Sequence, residues 1–99
     1  MSDVLTLVKL TKTGLQVDGP LTFNTVSTVL KSGKETINKR QGHSLILNLE
    51  NVERIDSAGI SLLLEWKRYS ALNNKTFSLE GMQKQVISLI KTYKLQTLF

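Results

Sequence analysis

Ser44-Leu45-Ile46-Leu47-Asn48-Leu49 is followed, after a short polar link, by Ile55-Asp56-Ser57-Ala58-Gly59-Ile60-Ser61-Leu62-Leu63-Leu64-Glu65-Trp66. The first stretch alternates like a strand, and the second packs small polar residues and a glycine directly ahead of a dense apolar run. A strand therefore ends, the chain turns, and Asp56-Ser57 opens a helix. Free backbone N–H groups and the positive end of the helix dipole lie at that point. Asp56 or Ser57 is a good N-cap, worth typically about 1 kcal/mol, and Gly59 allows the turn to approach the sheet closely. The same geometry turns the Ser57 hydroxyl outward, where it can be phosphorylated or read by a partner. A phosphate there adds about −2 of charge beside a helix N-terminus that tolerates it, and beside Glu50, Glu53 and Asp56, which repel it.

Outward from this block the chain divides into short elements. Val4 to Lys12 reads as a strand, Gly14 as a turn and Leu15-Gln16-Val17 as a second strand, which together make a hairpin. Asp18-Gly19-Pro20 punctuates the chain. Thr22 is placed to cap a helix on which Phe23, Val26, Leu30 and Ile37 recur at helical spacing, and Gln41-Gly42 ends it. Gly33 inside this helix costs about 1 kcal/mol relative to Ala, so a bend is expected near Ser32-Gly33. Leu45, Leu47 and Leu49 point one way and Ile46 the other, the pattern of a covered central strand. The helix from Asp56-Ser57 runs to about Leu72 and stops at Asn73-Asn74. Thr76 to Leu79 is a fourth strand. Met82, Val86, Leu89, Ile90 and Tyr93 then mark an amphipathic helix, with an apolar tail from Leu95 to Phe99. The order ββαβαβα predicts an α/β fold, a mixed four-stranded sheet packed with about three helices, with some parallel pairing through right-handed crossovers.

Composition removes whole classes of function. The length of 99 residues suits one domain. No cysteine is present, so neither a disulfide framework nor a thiolate metal site is available. The start Met1-Ser2-Asp3-Val4 lacks the pattern of a signal peptide, and no apolar run approaches the length of a bilayer span, so a cytoplasmic protein is expected. The formal net charge of +5 is spread thinly over Lys31, Lys34, Lys39 and Arg40 and over Lys84, Lys91 and Lys94. Aromatics do not interleave with these cations as in a nucleic-acid stacking platform. Solvated helix faces account for them, with an acidic protein partner or a nearby membrane surface as the other readings. Phosphate-binding and dinucleotide-binding glycine motifs are absent. His43 is the single histidine and sits in a turn, which leaves no zinc site. No nucleophile–base pair accompanies the carboxylates Glu50, Glu53 and Asp56.

The helix after Asp56 has a divided surface. Ser57, Ser61, Glu65 and Arg68 form one polar stripe. Ile60, Leu62, Leu63, Leu64, Trp66 and Tyr69 spread apolar surface over the rest, more than a sheet alone needs. Trp66 is either core or an anchor for a partner, since tryptophan is enriched at binding hot spots.

Three segments carry a family likeness: Gly19-Pro20-Leu21-Thr22-Phe23-Asn24-Thr25-Val26; Val52-Glu53-Arg54-Ile55-Asp56-Ser57-Ala58-Gly59 followed by Leu62-Leu63-Leu64-Glu65-Trp66; and Ile87 to Phe99. Over nearly the whole chain they resemble the STAS domain of anti-sigma-factor antagonists. Within it they are closest to the MlaB-type branch, the small cytoplasmic subunits of the Mla phospholipid ABC transporter of Gram-negative bacteria. Pro20 departs from the acidic residue common there, and Ser88-Leu89-Ile90-Lys91 is less alanine-rich than the branch. The resemblance implies a single STAS domain over residues 1–99, with no catalytic residue, cofactor or metal. It implies a regulatory subunit docked on the transporter's cytoplasmic ATPase subunit (MlaF type), in a complex with permease and substrate-binding subunits. Such a subunit is peripheral to the inner membrane, does not insert into it, and does not bind nucleic acid. Asp56, Ser57, Gly59, Ser61, Glu65, Trp66 and Arg68 are the partner-binding candidates. Ser57 aligns with the position phosphorylated in the antagonists, so the alternative is an antagonist switched by a kinase at Ser57.

Overall fold

The strands β1 (Leu7–Leu10) and β2 (Gly14–Asp18) form an antiparallel hairpin in the computed structural model, which describes residues 6–99. α1 (Val26–Lys39), β3 (Ser44–Asn51), α2 (Ser57–Leu72), β4 (Thr76–Glu80), α3 (Lys84–Thr92) and a last 3-10 turn (Gln96–Leu98) follow. The strands lie in the order β1-β2-β3-β4, with β3 parallel to both β2 and β4. This is the single α/β domain with a mixed four-stranded sheet and the order ββαβαβα that the pattern predicts. The Val4 start expected for the first strand lies outside the described residues.

Pairing register decides which side chains share a face, because neighbours along a strand point to opposite sides. Leu15, Val17, Leu45, Leu47, Leu49 and Phe77 are all buried on one side. The other side carries Lys9, Gln16, Asp18, Asn48, Ser78 and Glu80, with Ile46 half-buried among them. The expectation of a covered β3 is therefore corrected. Ile46, half-buried, and Leu7, exposed, stand on an otherwise polar, open face, and two residues so placed do not make a second core. Polar contacts hold that face. The Asp18 carboxylate takes an ion pair from Lys9 at 2.6 Å and hydrogen bonds from Gln16 and Asn51, each at 2.7 Å. These contacts, that with Lys9 foremost, hold its pKa down to about 2.

The helices close the apolar side, and Trp66 is the keystone of their packing. Its side chain is 0% exposed and its indole N–H donates to the Leu30 carbonyl of α1 at 3.2 Å. That settles the alternative between core and anchor: Trp66 is core, and it presents no surface to a partner. Much of the apolar surface on α2 is likewise absorbed, since Ile60, Leu62 and Leu63 are buried and α1 packs along α2, while Leu64 and Tyr69 stay half-buried.

Gly33 explains how α1 approaches so closely. A Cβ at this position would stand 2.1 Å from Trp66 Cζ2 and 2.2 Å from Cε2. α1 runs unbroken from Val26 to Lys39, so the glycine makes room for the indole instead of ending or loosening the helix. Gly→Ala inside a helix usually stabilises by about 1 kcal/mol. Here the sign reverses, because the buried ring has nowhere to go: Gly33→Ala is expected to lose about 1–3 kcal/mol through overpacking. Chemical denaturation of the two proteins measures it, and a gain in stability would contradict the packing described.

Candidate functional site

Two helices begin side by side at one corner of the sheet. β2 and β3 run parallel, so both deliver the chain to the same end. Beyond them Leu21 and Ile55 form one more parallel bridge. The Leu21 N–H donates to the Arg54 carbonyl at 2.9 Å, and the Asp56 N–H donates to the Leu21 carbonyl at 3.2 Å. The entries to α1 and α2 are thus stitched together by backbone. Gly59 permits the stitch: a Cβ there would fall 2.1 Å from the Leu21 carbonyl oxygen. It is buried, so its part in the corner is clearance.

Asp56 is the N-cap of α2, and it does more than cap. One carboxylate oxygen accepts from the Gly59 N–H at 3.1 Å, and the other accepts from the Phe23 N–H at 2.9 Å. A single side chain ties the start of α2 to the turn that leads into α1. Partial burial works against its ionisation, but the N–H groups of Phe23, Gly59 and Ala58 outweigh it and hold its carboxyl below the usual range.

That turn is where the sequence pattern misplaces a residue. Thr22 is not the helix cap. A hydrogen-bonded turn from Thr22 intervenes, and α1 starts at Val26. Thr25 locks the turn by accepting from the Thr22 N–H at 3.0 Å and donating to the Pro20 carbonyl at 2.8 Å. Phe23 therefore leaves the apolar face of the helix and stands 78% exposed. With Val26, Leu30 and Leu62 it forms the apolar floor and wall of an open groove of about 530 Å³ between α1 and α2. Ser27, Ala58, Ser61 and Glu65 complete its lining. Phe23, Val26, Leu30, Ala58 and Leu62 are functional candidates that sequence reasoning missed. The one readable signal is Thr25, whose hydroxyl can close a turn onto the backbone just before it and so keep Phe23 ahead of the helix.

The polar stripe of α2 is present, and its members differ in what they are free to do. Ser57 and Ser61 are exposed. Ser57, the first residue of α2, stands beside the groove, next to Ala58 on its wall. Glu65 lines the far end of the groove and is already engaged. Arg68 grips both of its oxygens, at 2.9 and 2.6 Å, and Lys34 of α1 reaches one of them at 2.8 Å. The Lys34 ammonium also lies 5.4 Å from the centre of the Tyr69 ring. Glu65 and Arg68 are thus parts of a clasp between α1 and α2 that sets the width of the groove.

Arg68 first and then Lys34 hold the Glu65 carboxyl down from 4.5 to about 2. A carboxyl lowered in the folded state contributes stability above its unfolded value and loses it as pH falls through the folded one. The clasp is therefore complete above pH 4.5 and released towards pH 2. The melting temperature is expected to fall over that window, and less steeply in Glu65→Gln. Equal slopes for the two proteins would show that the clasp carries no stability.

The carboxylates near the corner do not converge on a metal. Among the described residues no group of three or more acidic or histidine side chains could hold one. No described helix is long and apolar enough to cross a membrane.

A four-stranded mixed sheet, open on one face and backed by helices on the other, with two helix entries bridged at one corner, defines a small α/β domain of a recognisable kind. The STAS domain profile matches residues 7–99, and the chain belongs to the STAS domain family. Solved structures agree in fold. The anti-sigma factor antagonist SpoIIAA in its unphosphorylated form superposes with a TM-score of 0.73 at 18% identity, covering 94% of this chain and 84% of that one. The phosphorylated form, described as a Bacillus cell fate determinant, gives 0.67 at 17% identity, over 94% and 86%. A STAS domain protein from Planctomyces limnophilus gives 0.76 at 15% identity, over 95% and 86%. No curated protein matches significantly.

Proposed function

We propose that this chain is a non-catalytic regulatory and assembly subunit that docks through the α1–α2 corner on the cytoplasmic ATPase subunit of a phospholipid-transporting ABC system. The observation that carries the reading is Phe23. A 78% exposed aromatic side chain overhangs an apolar groove, beside the exposed hydroxyls of Ser57 and Ser61. Aromatic anchors over a partly apolar pocket with a polar rim are the usual composition of a protein-binding hot spot. The MlaB-type pattern Asp56-Ser57-Ala58-Gly59…Leu62-Leu63-Leu64-Glu65-Trp66 supports the choice of partner. The net charge of +5 suits an acidic partner surface or a neighbouring membrane.

In this reading Asp56 and Gly59 build the corner, Ser57 and Ser61 touch the partner, and the Glu65–Arg68–Lys34 clasp fixes the groove. Ser57→Asp places a new charge where the interface closes. It is expected to weaken binding of the purified ATPase subunit at least tenfold, about 1.4 kcal/mol, with little change in melting temperature. Unchanged affinity would remove Ser57 from the interface.

A second reading has its own support. SpoIIAA shares the fold in both its phosphorylation states, and Ser57 is exposed at a helix N-terminus. The chain would then be an anti-sigma-factor antagonist switched by phosphorylation of Ser57. A kinase encoded beside it, with phosphate transfer to Ser57 detected by mass spectrometry, would favour this reading. A neighbouring ABC ATPase and permease favour the first.

A further inference from the structure

The opposite end of α2 carries a second surface, distinct from the corner and independent of the reading above. β4 is an edge strand, with β3 on one side and no strand on the other among the described residues. The Thr76 N–H donates to the His43 carbonyl at 2.8 Å, in the register Ser44↔Thr76. In a parallel ladder alternate residues bond to the same neighbour. Thr76, Ser78 and Glu80 therefore face β3, and Phe77 and Leu79 turn their backbone N–H and C=O groups to the free side.

Beside this edge, between α2 and β4, lies an open cavity of about 460 Å³. Leu64, Ala71 and Phe77 give it an apolar floor, and Lys67, Arg68 and Lys75 surround it. No carboxylate lines it. Glu65 of α2 is spent on Arg68 and Lys34, and Glu80 lies at the far end of β4. Lys67 and Lys75 make no ion pair among the described residues. Natural edges are commonly blunted by proline, a bulge or inward-pointing charge. Thr76-Phe77-Ser78-Leu79-Glu80 has no proline, and its register against β3 is regular.

We infer that the free edge of β4 takes up an extended acidic segment of a partner protein as an added strand. Backbone pairing with Phe77 and Leu79 supplies affinity, as in other cases of strand addition. The cavity floor takes an apolar side chain, and Lys67 and Lys75 select carboxylates over cations.

The test uses the full chain labelled with 15N and two capped eight-residue peptides, one alternating Glu and Val, the other Lys and Val. The Glu–Val peptide is expected to shift the Phe77 and Leu79 amide resonances saturably and to leave Ala58 and Ser61 unmoved. The Lys67→Glu/Lys75→Glu variant is expected to weaken that response about tenfold or more. Raising salt from about 50 to about 500 mM in the unaltered protein is expected to weaken it as well, and this keeps the test decisive should the double variant unfold. Absence of shifts at Phe77 and Leu79 overturns the inference, as does an equal response to the Lys–Val peptide. Concentration-dependent shifts of the same amides without peptide would assign the edge to a second copy of the chain and would also overturn it. Failure here leaves the corner untouched, because Phe77 and Leu79, whose amides carry the readout, do not line the corner groove.

Discussion

Trp66→Ala is expected to destabilise the fold by about 3–5 kcal/mol, out of the roughly 5–15 kcal/mol typical of a native domain. Three losses combine. The largest fully buried side chain of the core disappears. The Leu30 carbonyl loses the indole N–H it accepts. Gly33, which has no side chain of its own, faces the void, so α1 has nothing with which to fill it. For a domain of this size the change corresponds to a fall in melting temperature of about 15 °C or more. Trp66→Phe keeps much of the volume and should cost clearly less. Calorimetry on the three proteins measures the order. A melting point unchanged by Trp66→Ala, with partner affinity lost, would return Trp66 to the interface.

Phe23→Ala is expected to do the reverse. The side chain is 78% exposed, so its truncation removes little burial and should shift stability by less than about 0.5 kcal/mol. Its backbone N–H keeps its bond to Asp56, because that contact does not involve the ring. Binding of the proposed ATPase partner should fall about 10- to 100-fold, the loss of a central aromatic anchor worth about 1–3 kcal/mol. Titration calorimetry with the purified subunit measures it. A large loss of stability with affinity kept would instead place Phe23 in the fold.

The two substitutions mark where sequence reading succeeds and where it stops. Periodicity finds β3 and α3 because burial on one face imposes it directly, and the apolar run behind Asp56-Ser57 finds α2. Asn73-Asn74 ends α2 as expected, with Asn73 as its C-cap and Asn74 at φ 60. The D-S-x-G block is legible for the same reason, since capping is local. Phe23 fails because its place depends on the turn ahead of α1, which Thr25 fixes by bonding back to Pro20 and Asp56 fixes by accepting from the Phe23 N–H across the corner. Gly33 reads as a weak point in α1 until Trp66, which lies on another helix, gives it a purpose. Glu65 reads as a free contact residue until Lys34 and Arg68 claim it. Ile46 suggests a second buried face that only strand pairing refutes. The contacts from Asp56 to Phe23, from Trp66 to Gly33 and from Lys34 to Glu65, and the pairing of the strands, are long-range, and no local pattern encodes them.

Docking through the α1–α2 corner is tested by the footprint of the bound partner on this chain. The 15N-labelled chain is titrated with the purified ATPase subunit, and the broadening of each amide is followed. Phe23, Ser57, Ala58, Ser61 and Leu62 are expected to broaden first and together, while the open sheet face at Gln16, Asn48 and Ser78 stays sharp. Broadening on the sheet face with the corner unperturbed would contradict it.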